Sequence, residues 1–131
     1  MLIAAGYAGG AAALVEQVLD RERGSVQERA ALAIEMDAAL ALLEGVARAI
    51  GPETDDESVA QVLVARYTVQ KALPKIAAQA LELLGGLDFI LGSAHGQAAA
   101  AVHALAFHPP GRGAAAEPLL RYFDGGPLVL S

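Results

Sequence analysis

The longest regular pattern in the chain is one apolar stripe between residues 57 and 86. Its members alternate steps of three and four residues: Val59, Val62, Arg66, Val69, Leu73, Ile76, Ala80 and Leu83. This spacing predicts a helix of about 28 residues, roughly 42 Å long at 1.5 Å per residue. A helix of that length cannot bury its stripe against itself, so other helices must pack against it.

A second stripe of the same kind precedes the first. It consists of Leu32, Met36, Ala39, Leu43, Val46 and Ile50. Ser25 and Glu28 have the spacing of a capping box, and Gly51-Pro52 forbids continuation, so we expect a helix from about residue 26 to Ile50. Thr54 and Glu57 have the same spacing and predict a capping box for the long helix that follows.

The remaining segments also favour helices. We expect a first helix from Leu2 to about Arg23, a fourth from Ser93 to about Phe107, and a short last one from Ala114 to Phe123 with Pro118 in its first turn. Pro74 predicts a kink in the long helix. The fold class predicted is all-α, an antiparallel four-helix up-down bundle with a short extra C-terminal helix, in a single domain over residues 1–131.

Composition narrows the function classes. The 131 residues are 55% hydrophobic and 18% charged, with a net charge of -6. Phosphate binding needs clustered Lys and Arg, so an acidic chain with nine scattered basic residues is not expected to bind nucleic acid. The absence of cysteine favours a cytoplasmic location. Without a run of eighteen apolar residues no membrane span is expected, and residues 1–15 are interpreted as a helix start.

Side chains that commonly perform chemistry form no obvious site. His95, His103 and His108 contain no pair at the i, i+4 spacing that would aim two imidazoles at one metal, so no metal site is expected. The four serines fall at predicted caps, helix starts or the terminus, and the glycine pairs do not follow strands as phosphate loops do.

Arg66 interrupts the apolar stripe of the long helix and leaves two interpretations open. Its guanidinium could neutralise an anion or pair with a carboxylate on a facing helix, for which Glu35 is the candidate. Alternatively, its aliphatic stem covers the stripe while the guanidinium reaches water.

One segment near the end of the long helix resembles a family signature. Residues 80–86, Ala-Leu-Glu-Leu-Leu-Gly-Gly, are similar to the Ala-x-Gln-x-Leu-Gly-Gly motif in the C-terminal helical domain of acyl-CoA dehydrogenases. The resemblance covers nearly the whole chain: residues 4–23 resemble that domain's first helix, and residues 27–36 resemble the start of its second. Arg66 falls where the family commonly has lysine.

The resemblance implies a flavin cofactor, FAD. Leu84, Gly85 and Gly86 would lie beside its adenine end, on a flavin held mainly by a partner subunit. Glu82 stands where the signature has glutamine, and its charge is unfavourable near a pyrophosphate. The family's Arg-x-x-Phe-Gly pyrophosphate contact has no counterpart, since Arg23 is followed directly by Gly24 and Ser25.

The end of the chain resembles the family's Tyr-Glu-Gly-Thr motif. There the glutamate abstracts the α-proton of an acyl thioester and the threonine contacts the flavin. The nearest match is residues 122–126, Tyr-Phe-Asp-Gly-Gly, which makes Asp124 the candidate catalytic base and Gly126 a candidate flavin contact. Aspartate is one methylene shorter than glutamate, and a shortfall of about 1 Å can lower a rate of order 100-fold.

The family also uses an N-terminal helical domain and a middle β-domain, which do not precede Met1. We therefore expect α,β-desaturation of an acyl thioester only if a partner chain supplies those domains, because a single bundle leaves the flavin exposed to water. The alternative is a non-catalytic helical module that forms homo-oligomers or binds another chain.

Overall fold

The computed structural model describes residues 2–85 and 94–130, and every regular element in those ranges is helical. The elements are α1 (Leu2–Asp20), α2 (Val26–Ala49), α3 (Asp56–Leu84), α4 (Ala94–Ala101), a 3-10 helix (Val102–Phe107) and α5 (Arg112–Phe123). The prediction of an all-α chain is confirmed. The predicted cap Ser93 lies outside the described residues, and the expected fourth helix changes to 3-10 geometry after Ala101.

Helix α3 is the element that all the other helices contact. Its buried residues are Ala60, Leu63, Ala65, Tyr67, Val69, Leu73, Ile76, Ala77, Ala80 and Leu84. Val69, Leu73, Ile76 and Ala80 of the predicted stripe are buried, whereas Val59, Val62 and Leu83 are only half-buried. The difference arises because several helices contact α3, so it buries a band wider than one stripe.

Two hydrophobic clusters share α3. The larger one joins its second half to α1, α2, α4 and the 3-10 helix, with Leu73 and Ile76 fully buried at its centre. The smaller one joins the first half of α3 to α5 through Leu63, Ala115 and Leu119. Both ends of the long helix are therefore fixed by packing.

The start of α2 is as predicted. The Ser25 hydroxyl accepts a hydrogen bond from the Glu28 amide at 3.1 Å, and the Glu28 carboxylate accepts one from the Ser25 amide at 2.7 Å. Residues Leu32, Met36, Ala39 and Leu43 of its stripe are buried, and the last two members are half-buried. The capping box therefore sets the register in which α2 meets α3.

The start of α3 differs by one residue from the prediction. The N-cap is Asp55 rather than Thr54, because its carboxylate accepts a hydrogen bond from the Ser58 amide at 2.7 Å. Hydrogen bonds from Ser58 lower the pKa of Asp55 below its ordinary value. In α5, Pro118 lies in the second turn rather than the first, because the helix already begins at Arg112.

The turn between α1 and α2 packs tightly against the end of α3. Helix α1 ends at Asp20, three residues earlier than predicted, and Glu22 adopts a φ of 51° in a turn closed by the hydrogen bond from the Arg23 amide to the Val18 carbonyl. Gly24 follows with a φ of 78°, and a Cβ on it would lie 2.8 Å from Leu83 Cδ2. Only glycine allows this approach without displacement.

We predict that Gly24→Ala destabilises the chain by about 1–3 kcal/mol, because the methyl group requires both a positive φ and a shift of Leu83. Gly45→Ala is the matched control: it lies inside α2 with nothing within 4 Å of the added Cβ, and should stabilise by about 0.5–1 kcal/mol. Urea unfolding followed by circular dichroism measures both. Equal midpoints for the two variants would contradict the tight crossing.

Candidate functional site

The residues of the predicted adenine site lie at the C-terminal end of α3. Leu84 is 5% exposed, so its side chain belongs to the core, whereas Glu82 is exposed. Gly85 caps the helix with a φ of 102°, a conformation that L side chains rarely adopt. The helix end therefore requires glycine at this position whether or not a ligand is present. Gly86 lies outside the described residues.

Arg23 is brought to the same end of α3 by the tight turn at Gly24. Its Nε donates a hydrogen bond to the Leu83 carbonyl at 3.0 Å, and a Cβ built on Gly85 would lie 3.5 Å from its Nη2. Sequence reasoning missed this neighbour, because 60 residues separate Arg23 from Leu83. The signal in the sequence is a basic residue two positions before the capping-box serine, Ser25.

The charged side chains at the C-terminal end of α3 determine whether the phosphates of a dinucleotide can bind there. Glu82 and Glu28 line a shallow cavity of about 190 Å³ on one side, where two carboxylates disfavour an anion. The Arg23 guanidinium borders the backbone of Gly85, and the N–H groups that are not bonded to Leu83 can donate to a phosphate. Among the described residues at this end of α3, Arg23 is therefore the candidate for holding an anionic group.

Asp124 is the C-cap residue of α5 and is exposed. The turn behind it is closed by hydrogen bonds from the Gly125 amide to the Tyr122 carbonyl and from the Gly126 amide to the Arg121 carbonyl, both 3.0 Å long. This is a Schellman motif, and Gly125 has the positive φ it requires. A crevice of about 420 Å³ borders Asp124, Arg121 and Gly126.

The two predicted halves of the site are far apart in this chain. The tail after Asp124 is held at the start of α3, where the Leu128 amide donates a hydrogen bond to Asp56 Oδ2 at 2.9 Å. Gly85 caps the other end of α3, which has 29 residues and is therefore roughly 43 Å long at 1.5 Å per residue. One copy of the chain does not bring Asp124 and Gly85 to a common ligand.

Arg66 follows neither of the two expected arrangements. Its guanidinium donates hydrogen bonds to the backbone carbonyls of His108 and Pro109, and its Nε is buried without a partner among the described residues. Glu35, its candidate partner, instead forms an exposed 3.3 Å ion pair with Lys75. Arg66 thereby fixes the connection between the 3-10 helix and α5, whose main-chain carbonyls have no helical hydrogen-bond partner. We call this set of contacts the clamp.

Tyr67 completes this clamp. Its hydroxyl donates a hydrogen bond to the Pro110 carbonyl at 2.7 Å, and the Arg66 guanidinium carbon lies 5.6 Å from the centroid of its ring. Burial raises the pKa of the Tyr67 hydroxyl, so it remains a hydrogen-bond donor at neutral pH. Two adjacent residues of α3 thus hold three successive carbonyls.

The clamp also positions a histidine. His108 Nε2 lies 3.2 Å from the Tyr7 hydroxyl of α1, and both side chains are half-buried. Their separation of 101 residues explains why sequence patterns did not pair them. His103 is exposed, and the side chain of His95 lies outside the described set.

Within residues 2–85 and 94–130, no three His, Cys, Asp or Glu side chains are grouped so that they could hold a metal ion. None of the helices described there has the length and apolar character needed to cross a membrane.

We predict that Arg66→Met destabilises the chain by about 2–3 kcal/mol, because it removes charge-assisted hydrogen bonds to two carbonyls while keeping an apolar stem. Arg48→Met is the control, since Arg48 forms only an exposed i, i+4 ion pair with Glu44, and a change within about 0.5 kcal/mol is expected. Chemical unfolding measures both changes. A loss for Arg66→Met no larger than the control's would show that the clamp contributes nothing to stability.

This chain is similar in sequence to a curated enzyme. Isobutylamine N-hydroxylase of Streptomyces viridifaciens is 50% identical over 131 residues, a match that covers 99% of this chain and 35% of the relative. No protein-family model matches the chain, and no solved structure matches it. The chain thus spans about a third of the length of a curated relative named for hydroxylation of an amine nitrogen.

Proposed function

We propose that this chain is a helical domain of a flavin-dependent oxidoreductase that hydroxylates the nitrogen of a small primary amine. The observation that carries the proposal is the 50% identity, over 99% of the chain, to isobutylamine N-hydroxylase. Because the chain corresponds to 35% of that relative, the activity also needs the rest of such a protein, in the same polypeptide or in a partner.

The arrangement proposed for this domain is the single up-down bundle that the sequence predicts. The Lys75–Glu35 ion pair and the proximity of Gly24 to Leu83 support an antiparallel α2 and α3. The Tyr7–His108 contact supports a fourth segment that returns toward the start of α1. In such a bundle both ends of α3 lie at the surface, where other domains can reach them.

FAD is the cofactor proposed. We assign its adenine and phosphate end to the Arg23 guanidinium and the backbone of Gly85, with Leu84 and Gly86 contributing main chain and Glu82 turned to solvent. When bound, the reduced flavin supplies the two electrons that activate molecular oxygen. This chain contributes charge and close backbone approach to that end of the cofactor.

The reaction balances with molecular oxygen as co-substrate. One oxygen atom forms a bond to the amine nitrogen and gives the hydroxylamine, while the other leaves as water after taking up two electrons from reduced flavin and two protons. The amine must be neutral, since a protonated nitrogen has no lone pair to attack oxygen. Nitrogen hydroxylation replaces the acyl thioester desaturation that the family resemblance alone implied.

Asp124 keeps the role of candidate base only if another domain or another copy of the chain covers its crevice. Its carboxylate is exposed, and it lies at the opposite end of α3 from Gly85. Asp124 and the adenine end of a flavin at Gly85 would therefore belong to different active centres of an assembly. A homo-oligomer satisfies this requirement.

We predict that this chain can replace the matching segment of isobutylamine N-hydroxylase with retention of activity. A chimera containing residues 1–131 should bind flavin and convert isobutylamine to its N-hydroxy product with consumption of oxygen, measured by mass spectrometry and an oxygen electrode. Within it, Arg23→Gln should weaken flavin binding about tenfold, because it removes a charge-assisted hydrogen bond to phosphate.

Arg112→Gln is the matched control, since this arginine is exposed at the start of α5. It should leave flavin affinity unchanged. A chimera that folds and binds flavin but forms no hydroxylamine, where the parent protein does, would overturn the proposed reaction. Equal flavin affinity for the two arginine variants would remove Arg23 from the cofactor site.

A second candidate function is a non-catalytic oligomerisation module. Large apolar side chains on and near α5 are exposed, among them Phe107 at 85%, Leu120 at 63% and Phe123 at 63%. Leu120 and Phe123 are three residues apart and share one face of α5. A surface of this kind on an isolated chain commonly marks a place where another chain packs.

We predict that the chain self-associates and that Leu120→Ser with Phe123→Ser yields monomers, because the double change removes the apolar face of α5. Light scattering at tens of micromolar measures the mass. Ile34→Ser is the control, since Ile34 is 68% exposed on α2, away from α5, and its replacement should leave the mass unchanged. A monomeric unmodified chain would contradict the oligomerisation function.

A further inference from the structure

A cavity of about 390 Å³ lies between α1 and the segment that ends at His108. Its polar groups are the Tyr7 hydroxyl and the His108 imidazole. The rest of its lining is hydrocarbon or glycine, from Ile3, Gly6, Gly10, Ala101 and Val102. A mostly apolar cavity with a few convergent polar groups is the usual form of a small-molecule site.

The polar pair is held in place from behind. Arg66 binds the main-chain carbonyl of His108, Tyr67 binds that of Pro110, and the imidazole contacts the Tyr7 hydroxyl at 3.2 Å. Fixing the backbone on both sides of Pro109 restricts where the His108 ring can lie. Rigid support of this kind is what a binding group needs for orientation.

The floor of the cavity is made by glycines where alanine would fit. Gly6 and Gly10 are four residues apart on one face of α1, and a Cβ on either would meet nothing within 4 Å. Glycine lowers helix stability relative to alanine, and alanine is abundant in this chain. The helix backbone does not require glycine at these two positions. Their effect is to leave open space above α1, and that space forms the floor of the cavity.

The charges around the cavity indicate whether it favours a charged or a neutral ligand. Among the residues that the structure describes, no carboxylate lines the cavity, and the Arg66 guanidinium binds the His108 carbonyl behind it. An ammonium ion would gain no counter-ion from these lining residues, whereas a neutral amine can both donate hydrogen bonds to the Tyr7–His108 pair and accept them from it. We propose that this cavity binds the neutral form of a small branched primary alkylamine, with its hydrocarbon over Gly6 and its nitrogen at the Tyr7–His108 pair.

The pair can hold an amine without blocking its lone pair. When the Tyr7 hydroxyl donates its proton to His108 Nε2, its oxygen accepts a hydrogen bond from an amine N–H. The nitrogen lone pair then remains free to attack oxygen, as nitrogen hydroxylation requires. The ligand class rests on the proposed function, and the site makes Tyr7 and His108 the groups that bind the substrate amine.

The test is direct binding of isobutylamine to the 131-residue chain, followed by NMR of the Ile3 and Val102 methyl groups. Saturable shifts at these methyls are expected. Because alkylamines titrate near the lysine value of about 10.4, affinity for total amine should rise about tenfold from pH 7 to pH 8 if only the neutral form binds. Isobutanol has the same hydrocarbon and no ammonium form, so its affinity corrects for any effect of pH on the protein itself.

Two variants with matched controls locate the site. Gly6→Leu should weaken binding at least tenfold by filling the cavity, while Gly9→Leu, equally open in α1 but outside the cavity lining, should leave it unchanged. Leucine has a higher helix propensity than glycine, so neither variant should unfold α1. Tyr7→Phe should weaken binding about fivefold through loss of one hydrogen bond.

The possible results separate this inference from the proposed function. Absence of methyl shifts, binding that is unaffected by Gly6→Leu, or an affinity for amine that does not rise with pH relative to isobutanol would each overturn the amine site. Amine binding at these methyls, lost in Gly6→Leu, would support the site even if the chimera formed no hydroxylamine. In that case the reaction would be wrong and the binding site would stand.

Discussion

Burial of α3 along almost its whole length is the constraint on which the other features depend. Val69, Leu73 and Ile76 are fully buried, and a helix of 29 residues reaches that state only when neighbours cover it on several sides. Each neighbour is fixed to a different level of α3: the α1–α2 turn at Leu83, the segment before α5 at Arg66, and the C-terminal tail at Asp56. The candidate sites lie at those same three levels.

The sequence predicts features whose causes are local. The Ser25–Glu28 capping box, the run from Val69 to Ala80 of the α3 stripe and the end of α5 at Phe123 each follow from spacings of a few residues, and each is present. The sequence does not predict contacts made by tertiary packing. No periodicity pairs Tyr7 with His108, and no side-chain pattern identifies backbone carbonyls as the partners of Arg66.

The described glycines of the two family-like motifs are explained by the fold, so their presence in the sequence is not by itself evidence of a binding site. Gly85 and Gly125 have positive φ values, and a Cβ on Gly126 would lie 3.2 Å from the Arg121 carbonyl, so helix termination explains all three. A flavin bound at these positions would contact main chain that lacks side chains because the helices end there. Arg23 likewise has a role in the fold, since its Nε donates a hydrogen bond to the Leu83 carbonyl at the C-terminal end of α3. The proposed cofactor contact would use the guanidinium N–H groups that this bond leaves over.

Exclusion of water connects the candidate sites to the need for additional protein. The crevice at Asp124, the Arg23 side of Gly85 and the cavity at His108 all open to solvent in a single copy, and polar interactions are weaker where water competes for them. A neutral amine gains most from the Tyr7–His108 pair when the mouth of its cavity is closed. Under the proposed function, this chain would orient the amine, and oxygen transfer would also require a cover over that mouth. The exposed apolar face of α5 is a surface on which such a cover could pack.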